Sequence, residues 1–104
     1  MTTYTYEYLD ERMLSWNRNN CTAHEFAESF SDNEIDLLID ALSNMEYSTD
    51  PDYYPEKCDT DAKCEVIMDY ICRTLCEMMV SGWNDGCVKW FNLYDSFARS
   101  RFED

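Results

Sequence analysis

The chain has 104 residues, 45% of them hydrophobic and 15% aromatic, which is enough for one modest core and unlike the composition of a disordered protein. Twenty-two acidic residues against eight basic ones give a formal net charge of −14, which opposes compaction by self-repulsion. Two glycines and two prolines disfavour a many-stranded sheet and leave no glycine-rich loop for phosphate. The composition therefore predicts an all-α fold, a single domain over residues 1–104 with four to five helices.

The first ten residues contain neither a basic segment nor an apolar run, as an export signal would require. No later stretch approaches the roughly 18 apolar residues of a membrane span. We therefore expect a cytoplasmic protein that does not enter a membrane. In that compartment the six cysteines are expected to be reduced thiols unless they hold a metal.

The first predicted helix lies close to the start of the chain. Its apolar residues recur at i, i+3, i+7 and i+10, as on one helical face: Tyr6, Leu9, Met13 and Trp16. The alternation of Thr or Glu with Tyr over residues 3–8 also fits a short strand, because the period of so short a run does not decide between the two. We favour the helix.

Two helix starts follow within nine residues of each other. Thr22 to Glu25 and Ser31 to Glu34 both match the capping box, in which a hydroxyl and a Glu three residues later each accept a hydrogen bond from a free backbone amide. The first box predicts a short helix with Phe26 and Phe30 on one face. The second predicts a longer helix whose core-facing residues are Ile35, Leu38, Ile39 and Leu42.

The periodicity stops over about residues 46–60, where prolines and Asp residues predict a long exposed loop. A wide apolar face then predicts the central helix over about residues 61–81, ended by Gly82. A last helix is predicted from about Gly86. Its core-facing residues are predicted to be Val88, Phe91, Tyr94 and Phe97.

The negative charge is concentrated in the middle of the chain. Fourteen acids lie between Glu25 and Asp69 against only Lys57 and Lys63, so this segment carries −12 of the net −14. Between Arg18 and Lys57 no Lys or Arg occurs, and the ten acids there lack neighbours in sequence with which to pair. A coat that only confers solubility is the competing interpretation, but such a coat would spread its charge more evenly.

One row of acids repeats every four residues. Glu28 is followed by Asp32, Asp36 and Asp40, and the last three fall in one predicted helix, about 6 Å apart along a single face. Like charges at this spacing destabilise a helix by roughly 0.2 to 0.5 kcal/mol per pair. The row therefore indicates selection for a surface property rather than for folding.

In size, charge and helical content the chain resembles the small acidic inhibitor proteins that bacteriophages and mobile elements encode against host defence, including DNA-mimic anti-restriction proteins and several anti-CRISPR proteins. The resemblance rests locally on the acids of residues 25–40 and 50–69 and includes no motif match. It implies a protein of the host cytoplasm that occupies a basic nucleic-acid-binding groove of a defence protein. Rigid carboxylates would there take the place of backbone phosphates.

We therefore predict that the protein binds the positively charged nucleic-acid-binding surface of a larger protein and acts by steric and electrostatic competition. The predicted contacts combine acids of the two helix starts, acids of the loop and two loop tyrosines as interface anchors. They are Glu25, Glu28, Asp32, Asp36, Asp40, Asp50, Asp52, Tyr53, Tyr54 and Glu56.

Two alternatives remain open at this stage. The first is a regulatory adaptor that binds a basic segment of another protein without imitating DNA. The second is a homodimer, compatible with either function, because 16 aromatic residues are many for so small a core. Direct binding of nucleic acid is not expected of so acidic a chain.

Each cysteine or histidine motif in the sequence provides only two of the four ligands that a structural zinc site needs. Cys21-x-x-His24 and Cys72-x-x-x-Cys76 each offer two ligands, without the paired C-x-x-C spacing of a structural zinc module. Further single candidates are Cys58, Cys64 and Cys87. We expect buried thiols that act as small hydrophobic groups, and therefore no metal and no cofactor. With one histidine and no nucleophile elbow, no catalytic residue and no enzymatic activity are expected.

Overall fold

Five α-helices make up most of the part of the chain that the computed structural model describes, residues 6–44 and 59–103. They span Tyr6–Ser15 (α1), Ala23–Glu28 (α2), Asp32–Asn44 (α3), Thr60–Met79 (α4) and Asp85–Glu103 (α5). The all-α prediction of four to five helices is confirmed, and the described residues contain no strand. The strand alternative is wrong for residues 6–8, which belong to α1.

Both predicted capping boxes are present. At the start of α2 the Thr22 hydroxyl accepts a hydrogen bond from the Glu25 amide, and the Glu25 carboxylate accepts one from the Thr22 amide, both at 3.1 Å. Ser31 and Glu34 repeat the arrangement before α3, at 3.2 and 3.0 Å. Each box satisfies two amides that the first turn of a helix leaves without an intrahelical partner.

The bounds of α4 follow from a cap at one end and a glycine beyond the other. The Asp59 side chain accepts a hydrogen bond from the Ala62 amide at 2.8 Å, so α4 begins one residue before the predicted start. Gly82 has a φ of +100°, a conformation that side chains with a Cβ rarely adopt, and it lies in the turn after the helix ends.

The core is built around α4, which packs against α2, α3 and α5, while α1 contacts α3 and α5. All five helices contribute buried apolar residues to one cluster. Its largest fully buried side chains include Phe30, Phe97, Leu9, Met13, Ile35, Leu38, Leu42, Ile67 and Ile71. Each buried side chain of this size contributes about 1.5 to 3 kcal/mol relative to exposure.

The predicted core face of α5 is wrong for two of its four residues. Val88 and Phe91 are exposed, and Tyr94 is only partly buried. The residues of α5 that face the core are Cys87, Trp90, Leu93, Phe97 and Ser100. Apolar residues surround much of this helix, so its sequence allows two apolar stripes about one residue apart, and packing against α4 selects between them.

Candidate partner-binding surface

The five predicted contact acids on the described helices are all exposed, namely Glu25, Glu28, Asp32, Asp36 and Asp40. The predicted contacts from the loop lie outside the described residues, and the structure leaves them as predictions: Asp50, Asp52, Tyr53, Tyr54 and Glu56. The described half of the predicted surface is therefore exposed to solvent.

α3 holds the row of three acids on its outer side. The opposite side buries Ile35, Leu38 and Leu42, and this burial fixes the rotation of the helix about its axis. Asp32, Asp36 and Asp40 then follow one another at a rise of about 6 Å per step. Of the five acids, Asp36 makes no hydrogen bond or ion pair within the described residues.

α2 and the start of α4 extend the row sideways. Glu28, which lies one helical turn after Glu25, accepts a hydrogen bond from the Thr60 hydroxyl at 3.2 Å. The Asp61 carboxylate lies 3.5 Å from His24 Nε2, and 82% of its side chain is exposed. The start of α4 thus adds Asp59 and Asp61 to the five acids already named. These seven residues are called the acidic face below.

Asp59 and Asp61 are among the acids on which the resemblance rests but not among the predicted contacts, because they lie far from Asp40 in the sequence. Only the packing of α4 against α2 brings these two acids beside Glu28. The sequence does contain an indirect indication, because Asp59 stands at the N-cap position before a segment whose apolar residues recur with helical periodicity. That signal predicts a helix start and does not predict which other helix start lies next to it.

Glu34 is an acid of α3 that does not belong to the acidic face. Glu34 is buried, and its carboxylate forms an ion pair with Arg12 and accepts a hydrogen bond from the Tyr8 hydroxyl at 3.2 Å. Burial disfavours its charge, but hydrogen bonds from the Ser31 amide and the Arg12 guanidinium outweigh burial and lower its pKa. Glu34 therefore joins α1 to α3.

The acids between Arg18 and Lys57 have no Lys or Arg near them in the sequence, as predicted. In the folded structure, however, some of them have basic partners from other helices. Arg12 reaches Glu34 from α1, and its guanidinium also lies 3.8 Å above the centre of the Phe30 ring. Lys63 of α4 donates to the Phe30 carbonyl at 2.7 Å and lies 4.0 Å from Asp32, whose side chain is 88% exposed. Among the described residues, these tertiary contacts pair Glu34 closely and Asp32 weakly with a basic side chain.

Among the described thiols, Cys64 and Cys87 are buried in the core cluster, whereas Cys72 and Cys76 are only partly buried and lie outside it, so the expectation of buried thiols is wrong for that pair. Burial raises the pKa of Cys64 to about 11, and burial together with the neighbouring Cys76 raises the pKa of Cys72. At neutral pH both are thiols, which are poor nucleophiles and poor metal ligands. Within residues 6–44 and 59–103, no three Cys, His, Asp or Glu side chains come close enough to hold a metal ion, and Cys58 lies outside these ranges.

The chain matches no protein-family model, no curated protein and no solved structure. A functional assignment therefore depends on the surfaces of the molecule itself. None of the five helices is both long and apolar enough, over its described residues, to cross a membrane.

A groove of about 670 Å³ lies between the end of α1 and α5. The described residues that line it include Arg18 and Lys89 but no carboxylate. Arg18 already lies 3.4 Å from Glu103 at the rim. Because it is cationic, the groove is a poor site for a basic partner, which the acidic face would attract instead.

A second surface, not predicted from the sequence, is apolar. It comprises the end of α4, the following turn and the first two turns of α5, and is called the apolar end below. Its exposed side chains are Met79, Val80, Trp83, Val88 and Phe91. Trp83 and Phe91 contact each other edge to face, with ring centroids 6.2 Å apart.

Proposed function

We propose that this protein is an inhibitor whose acidic face binds the nucleic-acid-binding surface of a larger protein and excludes nucleic acid from it. The observation that carries the proposal is the exposed row of Asp32, Asp36 and Asp40 on α3, held outward by the burial of the opposite side of the same helix. Glu28 and Asp61 widen the row into a surface.

The spacing of the row supports competition with nucleic acid. A duplex presents one phosphate per about 3.4 Å of axis on each strand, and its binding proteins meet it with tracks of Lys and Arg. Carboxylates about 6 Å apart on α3, with a second row from α2 and α4, present charge at a comparable but lower density along such a track. A groove that binds phosphates therefore attracts this surface as well.

The mechanism requires no chemical step. Opposite charges steer the two proteins together and raise the rate of association, while the folded domain fills the groove and blocks entry of the nucleic acid. The helices hold the carboxylates before binding, so little conformational entropy is lost when the complex forms. Binding rather than catalysis is the proposed activity.

Partner capture followed by competition tests the proposal. The immobilised protein would be incubated with extract of the cell in which it acts, and the retained protein would then be challenged with duplex DNA, RNA and rising salt. We expect nucleic acid to displace the partner and affinity to fall at least tenfold between about 50 and 200 mM salt.

The same experiment separates the two functions left open by the sequence. Displacement by salt but not by any nucleic acid would identify an adaptor that binds a basic segment without mimicry. Retention that is indifferent to both salt and nucleic acid would refute an electrostatic interface altogether. A protein with scrambled sequence and equal net charge, which lacks the fold, provides the control for attraction by charge alone.

A further inference from the structure

The apolar end is the largest concentration of exposed hydrophobic groups in the described part of the chain. The described part of the chain exposes seven large hydrophobic side chains, and five of them lie between positions 79 and 91. Val80 is 66% exposed, Trp83 is 59% exposed and Phe91 is 48% exposed. Single exposed hydrophobic residues are common on proteins, but a cluster that includes a Trp and a Phe marks a contact surface.

The five side chains form one patch of useful size. Trp83 and Phe91 touch, and Val88 lies one helical turn before Phe91 on the same side of α5. Aromatic side chains bury about 150 to 250 Å² each when covered, so the two exposed rings alone offer on the order of 200 Å². With the aliphatic neighbours, two copies placed face to face would bury roughly 1,000 Å², the lower limit of a specific interface.

The charge of this region differs from that of the rest of the molecule. Among residues 77–92 the ionic side chains are Glu77, Asp85 and Lys89, a net of −1 in a chain whose total is −14. A strongly basic partner is therefore attracted to the acidic face and has no electrostatic reason to choose the apolar end. The region instead suits a partner that is itself nearly neutral at the contact.

The two charges on α5 are complementary to a second copy of themselves. Asp85 and Lys89 lie one turn apart on one side of the helix, and neither forms an ion pair within the described residues. In a two-fold contact residue i of one copy meets residue j of the other, and the reverse. Two α5 starts packed antiparallel about an axis between positions 87 and 88 therefore place each Asp85 within one residue's rise, about 1.5 Å along the helix, of a Lys89 of the other copy.

From these observations we infer that the apolar end is a self-association surface, through which two copies of this chain form a dimer. The acidic face adds only weak, screened repulsion to this contact at physiological ionic strength. Glu28 and Asp61 lie at the first turn of α4, and α4 extends about 30 Å from there to Met79, several screening lengths at physiological ionic strength. The inference is independent of the proposed function.

Sedimentation velocity and light scattering over a concentration series up to about 1 mM test the dimer on the full chain. We expect the mass to rise from 12.4 kDa towards twice that value as concentration increases. We also expect the dimer to strengthen as salt rises, since salt screens the repulsion between two bodies of charge −14. Binding to a basic partner through the acidic face has the opposite salt dependence. The experiments can therefore refute the dimer without refuting the proposed function, and the reverse.

Paired variants locate the contact. Phe91→Lys should return the mass to that of a monomer, whereas Phe102→Lys should not, although Phe102 is on the same helix and is more exposed at 72%. Circular dichroism of both variants verifies that helicity is retained. A mass that stays at 12.4 kDa over the whole series, or a dimer that both variants leave intact, would overturn the inference.

A charge exchange distinguishes a second copy from any other occupant. Asp85→Lys alone and Lys89→Asp alone each place like charges in contact across the two-fold axis and should weaken the dimer, while the double variant should restore it. If the double variant associates no better than the single ones, this antiparallel contact is wrong. Phe91→Lys could instead abolish the capture of a different protein while the variant and the parent have the same mass at every concentration. In that case the surface belongs to that partner, and the dimer is excluded.

Discussion

The acidic face and the apolar end both expose groups that folding alone would arrange otherwise, but at different energetic cost. At the acidic face the carboxylates are well solvated, and the cost is repulsion of roughly 0.2 to 0.5 kcal/mol per neighbouring pair. At the apolar end Trp83 and Phe91 remain partly in water, although full burial of such a side chain is worth about 1.5 to 3 kcal/mol. The larger free-energy cost is therefore at the apolar end, although the acidic face is the more conspicuous of the two in the sequence.

This difference shows that the net charge of a chain does not by itself indicate all of its exposed binding surfaces. The charge of −14 draws attention to α2, α3 and the start of α4. The apolar end is nearly neutral, with a net charge of −1 over residues 77–92, yet its exposure is the stronger departure from the stability optimum of a monomer.

Truncation on the two sides of α5 tests whether the apolar end is outside the core. Phe97→Ala should destabilise the protein by about 3 to 5 kcal/mol, because Phe97 is fully buried against Trp16 with ring centroids 5.5 Å apart. Phe91→Ala, in monomeric protein at low concentration, should change the free energy of unfolding by less than about 1 kcal/mol. Urea denaturation measures both, and equal losses would place Phe91 in the core.

Removal of the buried ion pair tests Glu34, an acid of α3 that is not part of the acidic face. Arg12→Ala should cost about 3 kcal/mol, because it leaves the charge of Glu34 buried without its partner and removes the cation over the Phe30 ring. Arg99→Ala serves as the control, since its pair with Asp95 is more than half exposed on both sides and should contribute under about 1 kcal/mol. Similar losses from the two variants would contradict a buried role for Glu34.

The pH dependence of stability should distinguish Glu34 from the exposed acids. The pKa of Glu34 is lower in the folded protein than its value of 4.5 in the unfolded chain, so its charge stabilises the fold above that pH. Glu34→Gln should therefore be less stable than the parent at pH 7. The difference should shrink as pH falls below about 4.5 and disappear below the folded pKa. A difference independent of pH would assign the effect to packing or hydrogen bonding alone.

Charge reversal on α3 should have the smallest effect on stability and a large effect on binding. Asp36→Lys replaces two repulsive neighbours with two attractive ones, so the free energy of unfolding should stay constant or rise by about 0.5 kcal/mol. Affinity for the captured partner should fall at least tenfold. Asp95→Lys makes the same change in net charge on α5, outside the acidic face, and should bind nearly as well as the parent. Equal losses of affinity would show that total charge, not the acidic face, drives binding.

Local rules in the sequence predicted the helices with good accuracy. The two capping boxes at Thr22 and Ser31 place helix starts within a residue, because the hydroxyl, the Glu and the amides they satisfy lie within four consecutive positions. The i, i+3, i+7 pattern of Ile35, Leu38 and Leu42 predicts correctly which side of α3 is buried, and hence that Asp36 lies outside. No partner in another part of the chain enters these predictions.

Where several arrangements satisfy the same local rules, prediction failed. α5 carries apolar residues over more than half of its circumference, and nothing within the helix tells whether Phe91 or Trp90 faces α4. The same holds for Arg12 and Glu34, which are 22 positions apart and form an ion pair only because α1 packs against α3.

The sequence by itself determined the helical class, the helix bounds near the caps and the exposure of the acids on α2 and α3. It did so because capping and helical periodicity act within a few residues, and because a carboxylate without a partner is too costly to bury. Only the tertiary structure decided that Glu34 is paired and buried, that Asp61 joins Glu28, and that Trp83 and Phe91 share an apolar end. Each of these depends on which helix packs against which, and that choice is made by the whole core at once.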